Sequence, residues 1–185
     1  PRDALPGRKD VRATGRRRPL QRRGLAGGGG VHASQRHALA LIRMAQEQGV
    51  ERIVVHALTD GRDTRPDAAL DAVTELEATG ARVATVCGRY WAMDRDRRWD
   101  RTKRAYDAIV HGVGERRASG REAVQASYDL RVTDEFIEPA VIGDPAENRI
   151  RPGDAVPVPS PHLTLPTISR VPIRRLSRSV PHPSR

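Results

Sequence analysis

Two short segments set arginine beside aspartate: Asp60-Gly-Arg-Asp63, and the run Arg-Tyr-Trp-Ala-Met-Asp-Arg-Asp-Arg-Arg-Trp-Asp over 89–100. Arginine presents a planar fork that matches phosphate or carboxylate oxygens, so several converging forks suit a small ligand with more than one anionic group. An aspartate among them is held ionised by its positive surroundings and can take a proton from a hydroxyl. A third segment, the glycine run 27–30 followed by Val31 and His32, adds an imidazole. The candidate set is therefore His32, Asp60, Arg62, Asp63, Arg65, Arg89, Asp94 and Arg95.

Each segment follows a short, largely apolar run, and these runs must place them. Residues 52–58 and 82–87 are rich in Val, Ile and Ala, as expected of buried parallel strands. Residues 20–26 read as a damaged first strand, because Arg22 and Arg23 sit badly in one, and 139–142 begin a last strand. Between the runs, Ala38, Leu41, Ile42 and Ala45 fall at helical spacing behind Ser34 as N-cap, with Gly49 to stop the helix. Pro66 and Asp67 open a second helix carrying Ala69, Val73 and Leu76 on one face, with Gly80 after its end. A third helix over 97–110 is expected to bury Trp99, Tyr106, Ile109 and Val110 and to close at Gly112, and a fourth covers 121–130. Strands joined through helices imply parallel pairing by right-handed crossovers. The fold class expected is α/β, a layered α/β/α domain with a mostly parallel, incomplete sheet, whose ligands bind beyond the carboxyl ends of the strands.

Charge argues against a nucleic-acid role. The formal net charge is +10, from 33 Lys and Arg against 23 Asp and Glu. Residues 1–30 hold nine bases and two acids, and 151–185 hold six and one, which leaves 31–150 with 18 bases against 20 acids. The basicity belongs to the ends. Residues 1–19 and the Pro/Ser/Arg-rich 157–185 show no sustained apolar period and are expected to be disordered tails around a domain at 20–156. Aromatics make up 3% of the chain and are absent from both tails, so specific nucleic-acid binding is not expected. No run reaches the length of a membrane span, and a single cysteine, Cys87, allows no internal disulfide, which fits a cytoplasmic chain.

Several residues read more simply as structure. His56 within a strand is a packed or hydrogen-bonded core residue, and Cys87 a small buried one. Asp94 and Asp96 either orient the arginines or touch ligand, Trp91 and Trp99 are core rather than stacking platforms, and Arg97, Arg98, Arg101 and Arg104 form a solvated helix face. The glycine run lacks a following Lys-Ser/Thr and is no nucleotide P-loop.

Gly29-Gly-Val-His32, Val55-His-Ala-Leu-Thr-Asp-Gly-Arg-Asp-Thr64, Gly88-Arg-Tyr-Trp-Ala-Met-Asp-Arg-Asp96 and Thr133-Asp-Glu-Phe136 resemble, in order and spacing, the substrate-binding domain of cofactor-independent phosphoglycerate mutase. The resemblance runs from Leu20 to Val156. It implies binding of 2-phosphoglycerate and 3-phosphoglycerate in glycolysis, with His32, Arg62, Asp63, Arg89 and Arg95 as substrate-binding residues and Asp63 as the catalytic proton-transfer carboxylate. It further implies a serine that takes the phosphoryl group, served by two manganese ions in a separate phosphatase domain. No metal is expected on the part seen here. A monomer with no membrane or nucleic-acid partner is expected.

The chain departs from that pattern at both ends. Gly28 stands where the family has aspartate, and Ala33-Ser34 where Ser-His is usual. Pro157-Val-Pro-Ser-Pro161 replaces an apolar strand and a Phe-Arg-Pro-Asp-Arg motif. Arg-rich tails, in a chain with 31 Arg to 2 Lys, are what a GC-rich gene read out of frame would give, and a partial domain of this kind is expected to be inactive alone. Two classes of function stay open: part of a mutase, or a non-catalytic module that binds phosphosugar acids or serves as an interaction domain.

Overall fold

The computed structural model describes residues 20–26, 34–152, 154 and 156. His32, the glycine run, and the stretches 1–19 and 157–185 expected to be disordered lie outside the described residues.

Five strands form one sheet: β1 (Leu20–Ala26), β2 (Ile53–Thr59), β3 (Arg82–Gly88), β4 (Glu115–Arg117) and β5 (Ala140–Ile142), in spatial order β1-β2-β3-β5-β4. Strands β1, β2 and β3 are parallel, and β1 is a full strand rather than a damaged one, paired from Leu20 with Ile53 to Ala26 with Thr59. Ala26 pairs with Thr59 and Thr59 with Gly88, so three chains leave the sheet at one level. Strand β5 runs antiparallel to β3, with Thr85 opposite Val141, the one antiparallel pairing among the described strands of a mostly parallel sheet. The crossover rule governs strands joined through one packed helix, whereas the long path from β3 to β5 returns the chain in the opposite sense. Strand β4 pairs with β5 in parallel; Glu-Arg-Arg shows no apolar alternation, so nothing in its sequence marks it as a strand.

Helices cover both faces. Helix α1 (Gln35–Glu47) buries Ala38, Leu39, Ile42 and Ala45 and ends before Gly49 at φ 76°, while Ser34 precedes it in extended backbone without a side-chain capping bond. Helix α2 (Ala69–Ala78) starts later than Pro66, because its amino end is capped from a distance: Asp134 Oδ2 accepts from the Ala69 amide at 2.8 Å. Helix α3 (Arg89–Ala92) is one turn directly after β3, and α4 (Trp99–Tyr106) runs into a wider turn at Asp107–His111 that Gly112 ends at φ 68°. Helix α5 (Gly120–Asp129) is capped by Ser119, whose hydroxyl accepts from the Glu122 amide; α6 (Pro145–Asn148) is a final turn.

Alternate strand residues face opposite layers. Ile53, Val55 and Ala57 join α1, α2 and α5 in the main core, while Leu58 and Cys87 pack with Ala105 of α4, Trp91 and Met93 on the other side. This is the α/β/α layering expected. His56 is fully buried, its Nδ1 3.0 Å from Thr85 Oγ1 and its Nε2 3.0 Å from Gln21 Oε1, a satisfied core histidine. The third helix corrects part of the sequence reading: Ile109 is buried and Val110 partly so, but Trp99 is 75% exposed and Tyr106 53%, and Ala105 and Ala108 complete the buried face in their place. Arg97 sits at φ 58°, so the helix starts at Trp99, and the five-residue turn after Tyr106 adds a residue per turn and shifts the apolar face.

Candidate anion-binding site at the strand ends

The level ends of β2 and β3 bring Asp60 and Arg89 side by side. Thr59 and Gly88 are the last paired residues, so the next side chain of each strand projects over the same edge of the sheet. Arg89 is 6% exposed, and its Nη1 donates to Asp60 Oδ1 at 2.6 Å and Asp63 Oδ2 at 2.7 Å. The two carboxylates thus share one guanidinium nitrogen. Asp60, almost fully buried, also accepts from the amides of Arg62 and Asp63, closing the loop in a tight turn. Burial alone would lower the pKa of Arg89, but hydrogen bonds to Asp63 and Asp60 and the charges of both outweigh it and raise the pKa. Asp63 keeps a quarter of its side chain accessible and is the carboxylate of this trio that faces outward.

A short 3₁₀ turn, Asp134–Phe136, closes the site from behind. The antiparallel course of β5 delivers it there, since residues entering β5 lie at the edge where β2 and β3 end. Gly88 N donates to Ile137 O at 2.7 Å, and Thr59 Oγ1 to Asp134 O at 2.6 Å. The approach is so close that a Cβ on Gly88 would lie 2.2 Å from Glu135 O, and one on Gly61, at φ 66°, 2.7 Å from Glu135 N. Glycine is required at both positions. Asp134 caps α2 and accepts from the Tyr128 hydroxyl. Burial raises its pKa against the lowering effect of those two bonds.

The other candidates distribute around this centre. Arg62 is 68% exposed at its side chain and lies 3.9 Å from Glu135 Oε1. Arg95 is exposed on the loop after α3; Arg65 is exposed on the loop after β2 and pairs with Asp67 at 3.6 Å. Asp94 turns into its own loop, accepting from the amides of Asp96 and Arg98 and from Arg101 Nη1, so it orients that loop. Arg101 is not part of a solvated face: its guanidinium carbon lies 3.9 Å over the centre of the Tyr90 ring. Arg104 stays on the exposed face, paired with Glu138, with its guanidinium carbon 4.4 Å from the centre of the Trp91 ring. Asp134, Glu135, Tyr128 and Arg101 escaped the residue-level reading because each acts through a neighbour distant in sequence; only the Thr133-Asp-Glu-Phe136 motif marked two of them. Among the described residues no group of His, Cys, Asp and Glu is arranged to hold a metal ion, and no helix is long and apolar enough to cross a membrane. The buried Cys87 thiol is pushed up to about 12 by burial, against a lowering by Arg104, and takes no part in the site.

The geometry is that of an acidic pair held by a buried arginine, with further arginines at the rim. The family model described as BPG-independent PGAM N-terminus (iPGM_N) matches residues 9–158. A Thermomicrobium roseum protein named 2,3-bisphosphoglycerate-independent phosphoglycerate mutase is 53% identical over 148 residues, 75% of this chain and 28% of the relative. A Myxococcus xanthus protein of the same name is 49% identical over 143 residues, 72% of this chain and 28% of the relative. The crystal structure of Leishmania mexicana phosphoglycerate mutase at low cobalt concentration matches with a TM-score of 0.74 at 30% identity, covering 82% of this chain and 31% of that one. This chain therefore spans a little over a quarter of the length of the curated relatives it matches. It belongs to the 2,3-bisphosphoglycerate-independent phosphoglycerate mutase family and corresponds to that family's amino-terminal model.

Proposed function

We propose that this chain is the part of a phosphoglycerate mutase that holds the glycerate while 2-phosphoglycerate and 3-phosphoglycerate are interconverted. The observation that carries the reading is the buried Arg89 locked onto Asp60 and Asp63 at the level ends of two parallel strands. Arg89 fixes the Asp63 carboxylate, and Asp63 keeps acceptor capacity for the proton of a glycerate hydroxyl. Arg62 and Arg95 supply forks for the carboxylate and phosphate oxygens. His32 completes the set as a further hydrogen-bonding partner. In this reading Asp63 takes and returns the proton as the hydroxyl at one carbon, then the other, exchanges the phosphoryl group.

The phosphoryl acceptor and its two manganese ions belong to a phosphatase domain outside this part. Among the described residues no group of His, Cys, Asp and Glu fits such ions. The reading carries with it a glycolytic role in the cytoplasm and a monomer. A non-catalytic phosphosugar-acid binding module is the second reading, since Arg62 and the other rim arginines would hold an anionic ligand without any group-transfer chemistry.

Reconstitution separates the two. The chain is mixed with the separately expressed remainder of the Thermomicrobium roseum relative, and 2-phosphoglycerate is followed from 3-phosphoglycerate. The mutase reading expects turnover on mixing, negligible turnover by the chain alone, and loss with Arg62→Ala. Binding of 3-phosphoglycerate without turnover on mixing would favour the module.

A further inference from the structure

The loop that carries Arg95 is held by an arrangement the site itself does not need. Asp94 sits on a loop, yet its side chain is only 3% exposed. It accepts from the Asp96 amide at 3.1 Å, the Arg98 amide at 2.8 Å and Arg101 Nη1 at 3.2 Å. The same nitrogen reaches Asp96 Oδ2 at 3.4 Å, so Arg101 bridges the residues on both sides of Arg95. The Arg101 guanidinium carbon lies 3.9 Å over the centre of the Tyr90 ring, and Tyr90 in turn packs against Trp91 and Phe136 with ring centres 5.1 and 5.2 Å apart. Phe136 ends the 3₁₀ turn behind Asp60 and Asp63. A continuous stack thus runs from the wall of the site, through Tyr90 and Arg101, to the two neighbours of Arg95. Within that loop Arg97 takes the left-handed conformation at φ 58°, which a side chain adopts only where surrounding bonds require it.

We propose that Arg101, seated on Tyr90 and bonded to Asp94, is a positioning residue that fixes the direction of Arg95 toward an anionic ligand. A guanidinium suits the task because one plane stacks on a ring while its edge donates to two carboxylates. Lysine does one or the other. The inference rests on the reading of Arg95 as a ligand contact.

The test is a double-mutant cycle on the full 185-residue chain, with 3-phosphoglycerate binding measured by titration calorimetry and folding by circular dichroism. Arg101→Met is expected to weaken binding about tenfold, the loss of roughly one charge-assisted hydrogen bond. Arg101→Lys should recover only part of it. In an Arg95→Ala background, Arg101→Met should have no further effect, because its influence passes through Arg95. Additive losses in the double variant would overturn the inference while leaving Arg95 as a contact. An Arg95→Ala chain that binds like the wild type, or a wild-type chain that does not bind, would overturn the reading beneath it and the inference with it. If Arg101→Met fails to fold, Tyr90→Leu removes the stack from its other side, and the same non-additivity with Arg95→Ala is required.

Discussion

Arg89 spends its charge inside the protein, on Asp60 and Asp63, and this sets what its replacement should do. Arg89→Met leaves the buried Asp60 carboxylate uncompensated, so unfolding free energy measured in urea should fall by about 3 kcal/mol. Adding Asp60→Asn should restore part of that loss, since an amide oxygen still accepts from the Arg62 and Asp63 amides without burying a charge. Cys87 offers a second check. With its pKa pushed up to about 12 by burial, the native thiol should resist a thiol-specific reagent at neutral pH and react at the ordinary rate once unfolded. At this scale the sequence was readable where a residue's type decides its place, as for His56 and Cys87, and misleading where a neighbour does. Trp99 looked like core and is exposed; Arg101 looked like surface and lies against Tyr90. Polarity places a side chain by default, but Asp94 and an aromatic face give an arginine a better environment than water does.

The element that decides the site is the 3₁₀ turn at Asp134–Phe136, wedged against the ends of β2 and β3. Gly88→Ala would put a Cβ within 2.2 Å of the Glu135 carbonyl oxygen, and backbone cannot yield as a flexible side chain does. A melting temperature lower by several degrees is expected, equivalent to about 1–2 kcal/mol for a domain of this size. Loss of 3-phosphoglycerate binding beyond what that destabilisation explains should accompany it. The turn also carries a pH signature. Burial raises the pKa of Asp134, so the folded chain holds that proton more tightly than the unfolded one. The resulting stabilisation is complete below the unfolded value, near 3.9 for an ordinary aspartate, and is lost as pH rises through the raised folded value. Stability of the wild type relative to Asp134→Asn should therefore decline as pH rises from about 4 toward neutrality, read from urea midpoints at each pH. A flat difference would show that Asp134 titrates alike in both states. Helices and the three parallel strands were legible from apolar spacing. The antiparallel sense of β5 and the short β4 were not, because both are set by pairing in space: β4 is Glu-Arg-Arg, held by its register against Ala140–Ile142.

For the molecule as a whole, three strands ending level, an antiparallel fourth that returns the chain to the same edge, and helices on both faces converge on one rim. The basic excess lies in the ends, and the near-neutral interval 31–150 brings Asp60, Arg62, Asp63, Arg89 and Arg95 to that rim by local placement rather than by overall charge. The surface hollow along α5, lined by Ser119, Arg121, Glu122, Gln125, Ala126 and Asp129, sets a single arginine beside two acids rather than converging forks: Glu122 accepts from the Ala118 amide, and Asp129 from the Gln125 side chain. Nuclear magnetic resonance of the ¹⁵N-labelled chain titrated with 3-phosphoglycerate tests the central claim most directly. The account predicts saturable shifts at the amides of Gly61, Arg62, Asp63, Arg89 and Arg95, abolished by Arg62→Ala with Arg95→Ala. Saturable shifts confined to α5, or none at the strand-end loops in a folded chain, would contradict it.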